Sequence, residues 1–176
     1  MPSPAAGASK AGGTGEAGGA SGRGAASGPG AASGASDPVG ASGSGSARLR
    51  LIRGSDLSSA TAQTVGMMRT AAISGDLVGA QSLWMGRTTL PAGVSSGDHH
   101  HGDSETGIYV VSGSPVFVCR DAESGELVRL EAQPGDYIWV PPHARHREEN
   151  PSPDTEAVVV IARSTQEAIV VNVEAL

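Results

Sequence analysis

From Gln81 onward the chain is a succession of short apolar runs, each closed by Gly, Pro, Asp or Ser. The runs are QSLWMGRTTL, TGIYVVSG, PVFVCR, ELVRLEA, DYIWVPP, RHREEN, EAVVVIARS and AIVVNVE. Their length suits strands, and no long window keeps a helical period. Many short strands at near-even spacing with turns between them predict an all-β sandwich or small antiparallel barrel. DAESGEL, between two of the runs, reads as a hairpin turn in which Gly125 is free to take positive φ.

Upstream the signal changes. ARLRLIRG alternates charged and aliphatic residues, as a half-exposed edge strand does. DLSSATAQTVGMMRTAAISG has turn formers at both ends and suits a loop that packs over the domain, with room for one helical turn. Residues 1–46 are almost entirely Gly, Ala, Ser and Pro, with no aromatic residue and Val39 as the only larger aliphatic after the first methionine. Such a segment cannot bury enough apolar surface to offset its ordering entropy, so a disordered tail over 1–46 and one folded domain over 47–176 are expected.

In that tail Lys10 and Arg23 cancel Glu16 and Asp37, which leaves the whole formal charge of −6 on the folded part. An acidic domain argues against nucleic acid as a partner. The tail lacks the basic start and apolar core of a secretory signal, and the longest apolar run, near EAVVVIARS, is too short to span a bilayer. A cytoplasmic protein with no membrane partner is expected. Cys119 is the single cysteine, which excludes an internal disulfide and a CxxC zinc cluster, and its place in SPVFVCRD reads as a buried structural thiol.

The stretch SSGDHHHGDSETGIYVVSG carries the chemistry. His99 and His101 stand two apart, so on an extended chain both face the same way, about 6.5–7 Å apart. Glu105 has the same parity, although Gly102 and Asp103 bend the chain before it. Two imidazoles and a carboxylate on one side of a sheet form a metal-binding set, and a fourth ligand should come from another strand. The candidate is His146 in PGDYIWVPPHARHREEN, where Gly135 opens a strand, Pro141 and Pro142 close it, and the chain turns.

At these residues the sequence resembles the cupin superfamily. The first cupin motif is Gly, five residues, His-x-His, three or four residues, Glu, six residues, Gly. Gly93, His99, His101 and Glu105 match it, while Gly113 falls one residue late and Ser112 stands in its place. The second is Gly, five residues, Pro-x-Gly, two residues, His, three residues, Asn. Gly135, Pro141, His146 and Asn150 match in register, with His143 where the second glycine belongs.

The resemblance covers roughly Leu83 to Ile169 and implies a double-stranded β-helix, or jelly-roll barrel. It further implies a divalent metal (Fe, Mn, Ni or Zn) held by His99, His101, Glu105 and His146. The activity expected from it is that of a metal-dependent oxygenase acting on a small, anionic organic molecule, with decarboxylation and isomerisation as related chemistries. The alternative is a non-catalytic small-ligand-binding or sensor module. Single barrels of this kind commonly form homodimers, and the segment from Arg48 to Gly79 could supply an exchanged edge strand.

The neighbouring polar residues read more plainly. The parity of His100 sends it to the opposite face from its neighbours. His143 reads as a loop residue rather than a catalytic base. Arg145 and Arg147 read as surface charges paired with Glu148, Glu149 or Asp154. Arg87 and Arg163, at strand ends, read first as solvent-exposed; inside a barrel mouth either would suit a carboxylate through a bidentate contact. Trp84, Tyr109 and Trp139 read as core aromatics.

Overall fold

The computed structural model describes residues 48–176. The tail expected over residues 1–46 lies outside them. Ten strands follow in order: β1 (Met68–Ile73), β2 (Trp84–Leu90), β3 (His99–His100), β4 (Thr106–Ser112), β5 (Val116–Arg120), β6 (Leu127–Glu131), β7 (Tyr137–Val140), β8 (His146–Glu149), β9 (Ala157–Arg163) and β10 (Val171–Asn172). They form two five-stranded sheets, the first in the order β1-β2-β9-β4-β7 and the second in the order β10-β3-β8-β5-β6. Every pairing is antiparallel. This is the all-β architecture expected from the strand pattern, in the jelly-roll form that the resemblance implies.

β9 shows why the sequence folds this way. Its β-branched run alternates between buried and half-buried positions, and Val159 and Ile161 point into the space between the sheets. Trp84, Ile108, Val110, Phe117 and Val140 complete that core. Each such side chain contributes roughly 1.5–3 kcal/mol by leaving water. Gly86 is part of the same packing, since a Cβ there would run into the Thr70 carbonyl and the Trp84 indole. The β5–β6 hairpin closes as its sequence predicts: the Asp121 carboxylate accepts from the Glu123 and Ser124 amides, and Gly125 takes φ 72°.

The region before Gln81 departs from its sequence reading. No strand forms over residues 48–54; the chain there is largely exposed, and Arg50 donates to the Leu77 and Val78 carbonyls. The strand lies further on, where a loop was expected: β1 pairs along β2 and forms an edge of the first sheet within the same chain. Its inward side chains include Arg69, which is 1 % exposed, so its polarity is opposite to that of an ordinary half-buried strand.

The two sheets differ on their outer faces. The second is paved with ion pairs, Arg129–Glu149 at 2.7 Å, Arg147–Glu149 at 2.8 Å and Arg147–Asp98 at 3.4 Å. On the first, the outward residues include Tyr109, Val111, Tyr137, Trp139, Val158 and Val160, and Arg87 is the one charged side chain that its strands point outward. Tyr109 and Trp139 are therefore surface residues and not core; Trp84 alone of the three is buried. Among the described residues no helix is long and apolar enough to cross a membrane.

Candidate metal centre

Three histidines meet between the sheets. β3 and β8 are neighbours, and His99 pairs in register with His146. His101 follows β3 by one residue on the same side, as its spacing from His99 predicts. The three are 0 %, 1 % and 3 % exposed for His99, His101 and His146. One ring nitrogen from each lies within 4.8 Å of the other two.

The other ring nitrogens fix how these rings present themselves. His99 Nδ1 lies 2.9 Å from the Gly97 carbonyl and His146 Nδ1 lies 2.9 Å from the Ala144 carbonyl. A carbonyl oxygen only accepts, so both Nδ1 atoms carry hydrogen and leave Nε2 as the donor atom for a cation. His101 Nδ1 sits 2.9 Å from the Thr106 hydroxyl, which can accept in the same way. All three Nε2 atoms are buried and have no hydrogen-bond partner. Three converging lone pairs in a dry interior repel one another unless a cation lies among them or protons occupy them.

The structure does not bring Glu105 to this group. The turn through Gly102, which takes φ 58°, resets the alternation before β4, so Thr106 faces inward and Glu105 outward. The exposed Glu105 carboxylate instead accepts from the Trp139 indole at 3.3 Å. The carboxylate beside the histidines belongs to Glu148, 3 % exposed, with Oε1 3.6 Å from His146 Nε2 and Oε2 3.9 Å from His99 Nε2. Ser96 Oγ donates to Glu148 Oε2 at 3.0 Å and holds it in place.

Two signals in the sequence point to this arrangement. Glu148 stands two residues after His146 on one strand, so the two share a face. The closing glycine gives the second: counted back six residues from Gly113, with four after His101, the motif places its acidic position at 106, which is Thr106.

Electrostatics follow from burial and from Glu148. Burial, with the Arg163 charge next, pushes His101 far below the ordinary histidine value. Burial also lowers His99, against the pull of Glu148. Burial works to lower His146 too, but the adjacent Glu148 carboxylate outweighs it and the net shift is upward. Glu148 itself would be raised by burial, yet the histidines around it hold it well below the usual carboxylate range. Without a metal, Glu148 thus favours the protonated form of His146, while burial favours the neutral forms of His99 and His101.

Two buried arginines flank the group. Arg163 lies 1 % exposed over the Trp84 ring at 5.6 Å and donates to the Ile169 carbonyl through Nη1 at 2.6 Å, while its Nε and Nη2 have no partner. Burial and the charge of Arg69 push its pKa down to about 9, so it stays cationic at neutral pH. Arg69 donates to the Ala62 carbonyl and to Thr64 Oγ1, and its Nε has no partner. Arg87, by contrast, is exposed.

The remaining candidates are structural or superficial. His100 accepts from the Gly102 amide and stands outside the group. His143 takes φ 59° at the position where the motif has glycine, and its exposed ring meets Asp103 at 2.7 Å. Arg147 pairs with Glu149 and Asp98, and Glu148 is not among its partners. Asn150 is a latch: its side chain donates to the Leu90, Pro91 and Thr155 carbonyls. Cys119, expected to be buried, is half-buried and pairs in register with His146.

Comparison with known proteins agrees with this geometry. The family model described as "Cupin domain" matches residues 86–162. The chain is similar to an oxalate oxidase solved with the substrate analogue glycolate, at 18 % identity and a TM-score of 0.55, covering 61 % of this chain and 55 % of that one. It thus spans about half the length of that relative. It is similar also to the polyketide cyclase RemF from Streptomyces resistomycificus, at 19 % identity and a TM-score of 0.58, covering 73 % and 88 %. A Bacillus subtilis oxalate decarboxylase described with Mn(II) centres matches at 19 % identity and a TM-score of 0.56, covering 63 % and 29 %. No curated protein sequence matches the chain. Identities this low carry the fold and not the activity. The two motifs, the paired sheets and the family match identify residues 86–162 as a cupin domain.

Proposed function

We propose that this cupin holds a divalent metal ion through His99, His101, His146 and Glu148, and that its ligand is a small carboxylate-bearing molecule. The observation that carries the metal reading is the convergence of three buried Nε2 atoms, none with a hydrogen-bond partner. Three imidazole nitrogens and one carboxylate suit Mn, Fe, Ni or Zn. A metal bound there supplies Lewis acidity to a coordinated oxygen.

The chain's own residues would do the rest. The Gly97 and Ala144 carbonyls hold two rings in the ligating tautomer, and Ser96 orients the carboxylate. Arg163 offers two unpaired N–H groups beside His101, a set that fits one carboxylate end-on or side-on. Buried cations also favour an anion on charge alone, since among the described residues Arg69 and Arg163 are buried with one carboxylate, Glu148. Oxidation of that ligand by dioxygen is the first reaction to assay.

One observation favours a second reading, a binding or sensor module without turnover: the ligating nitrogens are sealed from solvent. Co(II) separates the readings. Bound Co(II) should show visible bands that shift when formate or oxalate is added, and Arg163→Gln should keep the metal and lose most of that response. Bound Co(II) that ignores both anions contradicts the carboxylate reading, and Co(II) that does not bind contradicts the metal reading. Oxygen uptake by Fe(II)- or Mn(II)-loaded protein with oxalate then distinguishes an oxygenase from a module.

A further inference from the structure

We propose that the ligand of this site is a short aliphatic carboxylic acid, with its carboxylate at Arg163 and its alkyl arm in an apolar chamber beside His146. This rests on the reading above, in which Arg163 meets a carboxylate and the three histidines hold a metal.

The chamber is a cavity of about 80 Å³ between the edge strands β6 and β7. Phe117, Leu130, Ile138 and Val140 wall it, and His146 and Cys119 belong to its lining. Leu130, partly exposed, marks its outer end, and the buried His146 its inner one. A void lowers stability, because its walls lose the contacts that a filled core makes, and protein interiors keep few of them. Walls that are mostly hydrocarbon give water too few partners, so such a cavity stays dry and takes apolar guests.

Strand register aligns the chamber with the histidines and the cation. Across the inner face of the first sheet, Arg163 on β9 pairs with Thr106 on β4, and Thr106 pairs with Val140 on β7. All three are buried. Arg163 and Val140 therefore stand two strand spacings, about 10 Å, apart. Across the second sheet, His99 on β3 pairs with His146 on β8, and His146 pairs with Cys119 on β5. The two rows face one another, because Thr106 meets His101 at 2.9 Å and Val140 lines the same cavity as His146 and Cys119. Between them lie, in order, a cationic end, the histidine group and an apolar end.

A ligand that uses all three has charge at one end and hydrocarbon at the other. Volume limits the hydrocarbon. A dry cavity of about 150 Å³ holds the six carbons of benzene, so one about half that size suits an arm of about three carbons. An acid with two charged ends, such as oxalate, leaves the chamber empty, and an aromatic acid is too large for it.

A graded set of acids titrated into the Co(II)-loaded full chain tests this. Formate should shift the visible bands. From acetate through propionate to butyrate the affinity should rise by about fourfold per methylene, the factor that corresponds to about 0.8 kcal/mol, and the rise should stop by hexanoate. Cys119→Leu, which extends a side chain into the chamber, should keep the formate response and lose the rise. Xenon gives a readout that needs neither metal nor variant: in metal-free wild type the methyl NMR signals of Ile138 and Val140 should move with xenon pressure, while those of the exposed Val65 stay in place. A formate response with no rise along the series overturns the proposal and leaves the carboxylate reading standing. A rise that persists in folded Cys119→Leu, or xenon that moves neither Ile138 nor Val140, has the same consequence. Co(II) that does not bind, or that ignores every acid, overturns the carboxylate and metal reading and this proposal with it.

Discussion

The two sheets have five strands each and treat polar groups in opposite ways. The second points His99, His146 and Glu148 inward and lines its outer face with Arg129, Arg147 and Glu149. The first points Trp84, Ile108 and Ile161 inward, adds Arg69 and Arg163 at the same level, and leaves its outer face to Val, Tyr and Trp. A metal site needs donors that are fixed by neighbours and kept dry. In the proposed site one sheet would supply the donors, and the other apolar bulk and two positive charges to wall them in.

That division predicts where damage is greatest. Trp84→Ala removes the largest side chain of the first sheet's inner face and the platform under Arg163, and should cost about 3–5 kcal/mol in chemical denaturation. His101→Ala, one residue past the end of β3, should lower metal affinity by more than about 100-fold, beyond the loss from an outer-shell partner, with a much smaller change in fold stability. Isothermal titration with Mn(II) or Co(II) reads that difference. Thr106→Val keeps the shape of the first sheet but takes the partner from His101 Nδ1, and should weaken the metal by roughly 10–100-fold. Equal metal affinity in Thr106→Val would mean that the first sheet is only a wall.

Acid should sharpen the contrast. Burial lowers His99 and His101 below the unfolded histidine value, ~6.5, so their stabilising contribution is present above that pH and lost as pH falls through it. His146 works the other way, because its folded value is raised by Glu148: its contribution is full below ~6.5 and disappears as pH rises through the folded value. Glu148 contributes above its unfolded value, ~4.3, and loses that contribution as pH falls toward its lowered folded value. Two lowered histidines outweigh one raised, so the melting temperature of metal-free protein should fall from pH 7 to pH 5. Metal-loaded protein, with all three rings neutral, should fall more steeply. Smallest of all, Arg129→Ala on the outer face of the second sheet should cost no more than about 1 kcal/mol, since Arg129 is half exposed and its ion pair is screened.

Much of this was legible before folding, for a physical reason. β4, β5, β7 and β9 alternate or run apolar between turn formers, and β4, β5 and β9 are paired on both sides while β7 shows the same pattern at a sheet edge. β1 was not legible, because MRTAAI carries its arginine on the inward side and its methionine on the outward one, which inverts the pattern that periodicity reads. The two-residue spacing of His99 and His101 places both in the group. Glu105 failed the same rule because parity holds only along an unbroken strand, and the turn at Gly102 resets it. Glu148 obeyed the rule, two residues from His146, but stood in a run of charges that resembles a solvated face. The exposure of Tyr109 and Trp139 could not be read from residue type, since aromatic side chains suit a core and an interface equally.

The central claim is that Glu148, not Glu105, completes the metal site. Metal content by plasma mass spectrometry on wild type, Glu148→Gln and Glu105→Gln, after identical reconstitution and with folding checked by circular dichroism, tests it most directly. Near-stoichiometric metal in wild type and Glu105→Gln, with most of it lost from folded Glu148→Gln, is the predicted result. Metal lost from Glu105→Gln and kept in Glu148→Gln, or a wild type that takes up none, would contradict it.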